Sequence, residues 1–283
     1  GVLPRHRAAQ PGVPFHGATF HRIPVAVVTG FVCPNPLCGQ RSLVPGWCQS
    51  CAKRKNYVQV RVEADAGLQV LSKVRADDVP RLPIPEWPGV ENALHGGFVL
   101  GSVTALYGDP GAGKSTLALQ LADAMASLGP SGYLSSEQLV PHVKLTAVRV
   151  GLHESPVLVG AVNIVEEVEA HAHKIGFRFL VVDSLHNLAG EGTTPETTRR
   201  LVALARARRF AMLLVLHVTT EGDYSGPRAI EHEVDCMTRL ACEDGLTWRL
   251  DVIGKYRYGP VPRSAKLGRE THGGFFDDTG RGA

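Results

Sequence analysis

The segment GDPGAGKST at residues 108–116 constrains this chain more than any other part of its 283 residues. It matches G-x-x-x-x-G-K-[ST], a loop whose backbone amides surround the phosphates of a nucleotide. Such a loop needs a strand before it and a helix after it. SVTALY (102–107) is a strand pattern and STLALQLADAMASLG (115–129) is a helix pattern. The chain is therefore predicted to bind a nucleotide at the end of a buried strand.

Short apolar runs alternate with helical patterns from about residue 101 onward. FRFLVVDS (177–184) and AMLLVLHVTT (211–220) are typical of buried strands, whereas PETTRRLVALARARR (195–209) is typical of a helix. Strands that alternate with helices form a mostly parallel sheet that is covered on both faces. Two later runs, at 235–243 and 246–256, predict antiparallel strands. The predicted fold class is α/β, with a P-loop core and a mostly parallel sheet.

Charge and composition divide the chain. Residues 1–57 carry seven cations and no Asp or Glu, and the remainder has a net charge of −4. A basic head indicates a polyanion partner, and a solvated basic tail fits the charge equally well. We predict a basic N-terminal segment (1–57), a Pro-interrupted linker (58–90) and a nucleotide-binding domain (91–283).

The apolar runs are too short to span a bilayer and the start has no signal-peptide core, so we expect a cytoplasmic protein.

Four of the six cysteines lie close together in the basic segment. The pairs are Cys33 with Cys38, and Cys48 with Cys51. Two such pairs offer four thiolates to one ion, the ligand set of a structural zinc site, although the first spacing is wider than CxxC. Zinc would then supply the folding energy of this small segment, about 10–16 kcal/mol; four unrelated reduced thiols are the alternative. Cys236 and Cys242 lie in strand-like sequence and are predicted to be buried thiols.

Four residue types around the loop fit nucleotide hydrolysis. Lys114 is predicted to reach the β- and γ-phosphates of ATP, and the Ser115 hydroxyl to hold Mg²⁺. Asp183 ends a buried strand and is predicted to anchor the magnesium. Glu137 follows another strand and is predicted to be the base for the attacking water, with a surface carboxylate as the alternative. The expected nucleotide-contacting loop residues are Gly108, Asp109, Pro110, Gly111, Ala112, Gly113, Lys114, Ser115 and Thr116.

The order of these motifs resembles that of the bacterial RadA (Sms) DNA-repair ATPases, a branch of the RecA-like group. The resemblance covers about residues 33–267. It rests on the cysteine pairs and on GDPGAGKST, GYLSSEQ, VKLTAVRVGL, LVVDSLHNL, LHVTTEGDYSGPRAIEHEVD and GKYRYG. It implies a RecA-like ATPase core in which Glu137 is the catalytic glutamate and Asp183 the Walker B aspartate. It also implies that His217 lies on the strand that senses the γ-phosphate, and that Lys255 and Arg257 complete the ATP site of a neighbouring subunit.

The resemblance implies a DNA-stimulated ATPase that acts on single-stranded or branched DNA in repair and recombination. The expected assembly is a homo-oligomeric ring or filament, with a recombination or replication protein as a further candidate partner, and no protease activity is expected. The candidate DNA-facing segments follow Asp183 and His217. They contain Arg199, Arg200 and Arg228, for which solvated surface positions are the alternative.

Three departures from the family pattern affect these expectations. Thr220 stands where the family has Lys, and Tyr256 and Tyr258 replace Asn and Phe. The sequence ends 24 residues after Gly259, which implies a short form without the family's C-terminal Lon-protease-like domain. An alternative function is a nucleotide-dependent, zinc-containing adaptor that binds a protein partner with little hydrolysis. A KaiC-like signalling ATPase is a further alternative, against which the cysteine pairs and GPRAIEHEVD count.

Overall fold

The computed structural model describes residues 27–32, 41–42, 58–63, 79–84, 86–188, 193–217, 230–245 and 247–278. The chain forms two compact units, Gly1–Arg75 and Ala76–Ala283. Strands β1 (Val27–Val32), β2 (Arg41–Ser42) and β3 (Val58–Glu63) of the first unit form an antiparallel sheet in the order β2-β1-β3. Cys33, Cys38, Cys48 and Cys51 lie outside the described residues. The zinc site therefore stays a prediction.

The second unit opens with a small antiparallel pair, β4 (Arg81–Leu82) and β5 (Phe98–Val99), which flank helix α1 (Pro88–Ala93). The turn before β5 contains Gly97, where an added Cβ would lie 1.9 Å from the carbonyl oxygen of Leu82. Only glycine allows this approach of the two strands.

A nine-stranded sheet forms the centre of the described part of the second unit, in the order β14-β13-β12-β11-β6-β10-β9-β7-β8. The strands from β11 to β8 are parallel to their neighbours, and β12, β13 and β14 continue the sheet antiparallel. This order confirms the prediction of a mostly parallel sheet. The strand bounds are β6 Val103–Tyr107, β7 Ser131–Ser135, β8 Leu158–Ala161, β9 Phe179–Asp183, β10 Ala211–Val215, β11 Cys236–Cys242, β12 Thr247–Tyr256, β13 Arg263–Arg269 and β14 Phe275–Asp277.

Alternating side chains of the central strands feed two hydrophobic clusters. In β9, Phe179 and Val181 belong to the cluster that contains helix α2, whereas Leu180 and Val182 belong to the cluster that contains α4 and α5. Because successive side chains of a strand point to opposite faces, helices cover the sheet on both sides. The helix bounds are α2 Lys114–Ala126, α3 Val140–Arg149, α4 Val165–Lys174 and α5 Thr194–Arg208.

Helix α5 shows how local sequence sets an element boundary. The side chain of Thr193 caps its N-terminus by accepting a hydrogen bond from the Glu196 amide, and a proline stands in the first turn. Arg209, with φ of 55°, ends the helix in the left-handed conformation. No helix in the described ranges is long and apolar enough to cross a membrane.

The structure also differs from the sequence-based expectations. Strand β10 ends at Val215, earlier than the predicted run to residue 220. The hairpin of β13 and β14 was not predicted, although Ala265 and Leu267 alternate as buried residues along β13. The prediction for Cys242 was wrong, because this thiol is exposed at the end of β11. Cys236 is buried as predicted, and burial raises its pKa to about 12.

Candidate nucleotide-binding site

The phosphate-binding sequence forms a loop between the end of β6 and the start of α2. An ideal Cβ at Gly108 would lie 2.1 Å from the Leu240 carbonyl oxygen. Gly113 has φ of 96°, and a Cβ there would lie 2.7 Å from the Phe275 ring. A side chain at either glycine would push the loop away from β11 or from the C-terminal hairpin. The two glycines therefore fix the loop against the antiparallel half of the sheet.

Lys114 begins helix α2 and its side chain is buried, with 4% exposure. Its Nζ donates hydrogen bonds to the carbonyl oxygens of Gly108 at 2.9 Å and Asp109 at 3.0 Å. Burial lowers the pKa of Lys114, and the nearby carboxylates of Asp183, Asp109 and Glu137 act in the opposite direction. The ammonium group thus crosses the loop that precedes it and stabilises its fold.

Three further predicted residues meet at one edge of the sheet. Asp183 ends β9, Glu137 follows β7 by two residues, and His217 follows β10 by two residues. Strands β7, β9 and β10 are parallel neighbours, and Asp183 is in register with Ser135 and with Val215. Each of the three side chains offers one atom that could bind a metal ion, and these three atoms lie within 4.8 Å of one another. The carboxyl ends of adjacent parallel strands thus bring these residues together, and His217 lies beyond the end of β10, not on a strand as the family resemblance implies.

Asp183 is buried, with 3% exposure. The hydroxyl of Tyr133 donates to its Oδ2, and Ser115 also hydrogen-bonds the carboxylate. Burial raises the pKa of Asp183, while the bonds from Tyr133 and Ser115 lower it. The other oxygen, Oδ1, is buried without a hydrogen-bond partner. Tyr133 was not predicted as a site residue, although it lies in the motif GYLSSE.

Glu137 is held by Ser184, which Ser136 holds in turn, and lies beside a histidine. The Ser184 hydroxyl donates to Glu137 Oε1, and the Ser184 amide donates to Ser136 Oγ at 3.0 Å. Ser136 Oγ donates back to the Ser184 carbonyl oxygen at 2.7 Å. His217 Nε2 lies 2.8 Å from the same Glu137 oxygen. Sequence reasoning missed Ser184, although it directly follows Asp183.

These residues fit a magnesium-bound nucleotide. The loop has the required glycines and lysine, and Ser115 already contacts the Asp183 carboxylate. Asp183 Oδ1 is buried without a hydrogen-bond partner, and His217 Nε2 is buried with a Glu137 oxygen 2.8 Å away. Buried polar atoms normally have partners, so both are suited to contact a ligand or its bound ion.

Lys255 and Arg257 contact a different part of the chain. Lys255 Nζ donates to the carbonyl oxygens of Glu231 and His232, both at 2.7 Å. Arg257 Nε lies 3.2 Å from Asp235 Oδ1, an atom that also receives a bond from Arg206 at 3.1 Å. Burial lowers the pKa of Lys255, and the charge of Arg257 adds to this effect. Their role at a neighbouring subunit stays a prediction.

The tyrosines that replace the family's Asn and Phe contact the start of the unit. The Tyr256 hydroxyl donates to the Leu94 carbonyl oxygen at 2.6 Å and accepts from Arg81 Nη1 at 3.0 Å. The Arg81 guanidinium lies 6.0 Å from the centroid of the Tyr258 ring. Tyr256 therefore makes polar contacts within this chain, and Tyr258 makes a cation–π contact that a phenylalanine ring would also allow.

Two of the candidate DNA-binding arginines already have acidic partners. Arg200 donates to both oxygens of Glu169, at 3.1 and 2.8 Å, and to Glu166 at 2.6 Å. Arg199 Nε lies 3.5 Å from Glu233. Arg228 and Thr220 lie outside the described residues. DNA binding by these positions stays a prediction.

Comparisons with known proteins identify relatives of this chain. An AAA domain family model matches residues 68–150. The DNA repair protein RadA of Pseudomonas aeruginosa is 31% identical over 250 residues, which cover 81% of this chain and 55% of that protein. RadA of Streptococcus pneumoniae is 35% identical over 175 residues, which cover 59% of this chain and 42% of that protein. The chain thus spans about half the length of these curated relatives.

A structural comparison shows the fold. The crystal structure of a KaiC-like protein from Pyrococcus horikoshii matches with a TM-score of 0.59 and 18% sequence identity. The match covers 70% of this chain and 99% of the archaeal chain. The fold is therefore the RecA-like α/β fold. At this level of identity, the likeness carries no statement about activity.

Proposed function

Over its matched length this chain belongs to the family of the DNA repair protein RadA, and from that premise we propose that it is an ATP-dependent DNA repair and recombination ATPase. The observation that carries the proposal is the convergence of Glu137, Asp183 and His217 beside the phosphate-binding loop. A loop of this type binds many nucleotides for many purposes, so the neighbouring residues define the reaction.

Each residue has a chemical task in this proposal. Lys114 and the loop amides bind the phosphates, and Ser115 with Asp183 holds the Mg²⁺ that accompanies ATP. Glu137 orients a water molecule and accepts its proton. Ser184 and His217 contact one Glu137 oxygen, which leaves the other free to take the proton. Magnesium-bound ATP supplies the phosphoryl group and the charge that these residues bind.

The proposed polymer is single-stranded or branched DNA. Arg199 and Arg200 both have acidic partners, so neither offers an unpaired cation to DNA. We therefore assign most of the DNA contact to the basic segment 1–57 and to the segment around Arg228. The four cysteines Cys33, Cys38, Cys48 and Cys51 would hold zinc and fold the basic segment.

The test is steady-state ATP hydrolysis by the full chain with and without single-stranded DNA. Lys114→Ala serves as the blank, because it removes the phosphate-binding ammonium. We expect stimulation by DNA, and we expect Glu137→Gln to bind ATP but to turn it over about 10²–10⁴-fold more slowly. Normal turnover by Glu137→Gln would overturn the base assignment. A lack of DNA stimulation would overturn the DNA-coupled function.

One observation favours the adaptor as a second candidate. Lys255 and Arg257 are engaged within their own chain, at Glu231, His232 and Asp235. A chain that keeps these contacts cannot lend either cation to a neighbouring ATP site. The adaptor would bind ATP tightly, with turnover that neither DNA nor protein concentration changes.

A further inference from the structure

Two buried polar atoms point to one place in this molecule. They are Asp183 Oδ1, which has no hydrogen-bond partner, and His217 Nε2, which faces a Glu137 oxygen. Glu137 Oε1 lies 2.8 Å from His217 Nε2, and one donor from each of the three residues fits within 4.8 Å. An unpartnered buried carboxylate oxygen costs free energy unless it has a ligand.

We propose that Glu137, Asp183 and His217 bind a divalent transition-metal ion directly when no nucleotide is present. This ion is of the Mn²⁺, Co²⁺ or Zn²⁺ class and differs from the Mg²⁺ that accompanies ATP. The proposal rests on the nucleotide site proposed above, but it requires neither hydrolysis nor DNA. It assigns His217 as a ligand of the ion.

The donor set selects this class of ion. Imidazole nitrogen suits first-row transition metals such as Zn²⁺, and the two carboxylates also suit Mn²⁺, whereas Mg²⁺ takes oxygen ligands and keeps several waters. Two ligands on opposite sides of an ion with bonds of about 2.0–2.2 Å lie about 4.0–4.4 Å apart. The observed limit of 4.8 Å therefore needs only a small inward movement of the side chains. Glu137 and His217 can provide it because their side chains are 30% and 39% exposed.

The surroundings support the ligands in the way that metal sites require. The Tyr133 hydroxyl donates to Asp183 Oδ2 and leaves Oδ1 for the ion. The Ser184 hydroxyl fixes Glu137 Oε1. Lys114, the cation of the phosphate-binding loop, donates hydrogen bonds to the carbonyl oxygens of Gly108 and Asp109. Hydrogen bonds of this kind orient the ligands and commonly change metal affinity by about 10–100-fold.

An ion in this place has a consequence for the ATP site. It uses the carboxylate of Glu137, which is then unavailable as a base. It also uses the imidazole of His217, whose Nε2 lies 2.8 Å from that carboxylate. The bound ion would therefore occupy part of the ATP site. An arriving nucleotide with its own Mg²⁺ would have to displace it before hydrolysis.

Manganese is the best probe for this site. Thiolate ligands favour zinc, while carboxylate and imidazole accept Mn²⁺, so the predicted four-cysteine site should not contribute. The full chain, freed of nucleotide, is titrated with MnCl₂, and free Mn²⁺ is measured by its solution electron paramagnetic resonance signal. We expect one bound Mn²⁺ per chain that is lost or weakened at least about tenfold in His217→Leu, which offers no ligand atom.

Two controls separate this site from general effects. His173→Gln changes an exposed histidine of α4 and should leave Mn²⁺ binding unchanged. His217→Ala repeats the test with a smaller side chain, and circular dichroism reports whether each variant is folded. Mn²⁺ binding that needs added nucleotide, or that His217→Leu and His217→Ala leave unchanged in folded protein, would overturn the proposal.

The result is distinguishable from a failure of the proposed function. Lys114→Ala should abolish hydrolysis but keep the Mn²⁺ site, because it removes a cation and no ligand. Wild-type protein that binds Mn²⁺ without ever hydrolysing ATP would support the metal site and contradict the ATPase. A chain that hydrolyses ATP but binds no Mn²⁺ in its nucleotide-free form would contradict the metal site and support the ATPase.

Discussion

Gln120 and Phe275 are joined by two hydrogen bonds between a side-chain amide and the main chain. The Phe275 amide donates to Gln120 Oε1 at 2.8 Å, and Gln120 Nε2 donates to the Phe275 carbonyl oxygen at 3.0 Å. Gln120 lies on the helix that follows the phosphate-binding loop, and Phe275 begins the last strand of the sheet. The C-terminal hairpin is therefore fastened to the element that carries the nucleotide site.

Gln120→Ala should loosen this hairpin. The variant leaves the Phe275 amide and carbonyl without their partners, at a cost of about 1–3 kcal/mol. We expect a lower midpoint in urea denaturation and a weaker affinity for ATP, because the Phe275 ring packs against Gly113. Gln120→Glu is the matched control, since it keeps the acceptor for the Phe275 amide. A Gln120→Ala chain as stable as the wild type would show that the hairpin does not depend on this contact.

Ser184 is expected to act through Glu137. It is fully buried, and its hydroxyl donates to Glu137 Oε1. Ser184→Ala removes this bond and lets the carboxylate move, so kcat for ATP hydrolysis should fall about tenfold or more. The KM for ATP should change little, because the loop and Lys114 are untouched. An equal change in both constants would point to a damaged loop and away from a positioning role.

The parts of the site that were predicted follow from local sequence. The loop, Lys114, Asp183 and Glu137 stand next to strand ends, and parallel strands carry their carboxyl ends to one edge. The contacts of Lys255 and Arg257 could not be predicted, because their partners lie more than twenty residues away along the chain. Their spatial proximity depends on the fold of the whole sheet.

The C-terminal hairpin was missed for a different reason. The segment after Leu267 is rich in glycine and short in apolar residues, a composition typical of a loop. Its strand β14 has three residues and is stabilised by Trp248, Arg269 and Gln120. Tertiary contacts thus override weak local propensity here.

Arg200 should give the α4–α5 contact a dependence on pH. Its hydrogen bond holds the pKa of Glu166 below the usual value. The stabilisation is therefore present above the unfolded pKa of about 4.3 and is lost as the pH falls through the lower, folded value. Both side chains are more than a third exposed, so solvent screening limits the effect to about 0.2–1 kcal/mol. Arg200→Met should be less stable than the wild type at pH 7, and this difference should shrink below about pH 4.

The same variant tests Arg200 as a DNA contact. Its guanidinium is satisfied by Glu166 and Glu169, so Arg200→Met should not change how the affinity for single-stranded DNA depends on salt. The measurement is DNA binding by fluorescence anisotropy over a range of NaCl concentrations. A salt slope reduced by the equivalent of about one phosphate contact would show that Arg200 leaves its acidic partners when DNA binds.

Mixing two inactive variants tests whether Lys255 serves a neighbouring subunit. Lys114→Ala has no working loop but keeps Lys255, and Lys255→Met keeps the loop but loses the cation. If Lys255 acts across an interface, each variant alone should be inactive. Random mixing in equal amounts should then restore about a quarter of the sites.

The alternative outcome also has a structural basis. Lys255 Nζ is bound to the carbonyl oxygens of Glu231 and His232 in its own chain. If that contact persists during turnover, Lys255 supports the fold around Asp235, and mixed variants stay inactive at every ratio. Lys255→Met would then lower thermal stability by a similar amount in dilute and concentrated protein. Restored activity that rises with protein concentration would instead require the lysine to exchange its own carbonyls for the ATP site of a second subunit.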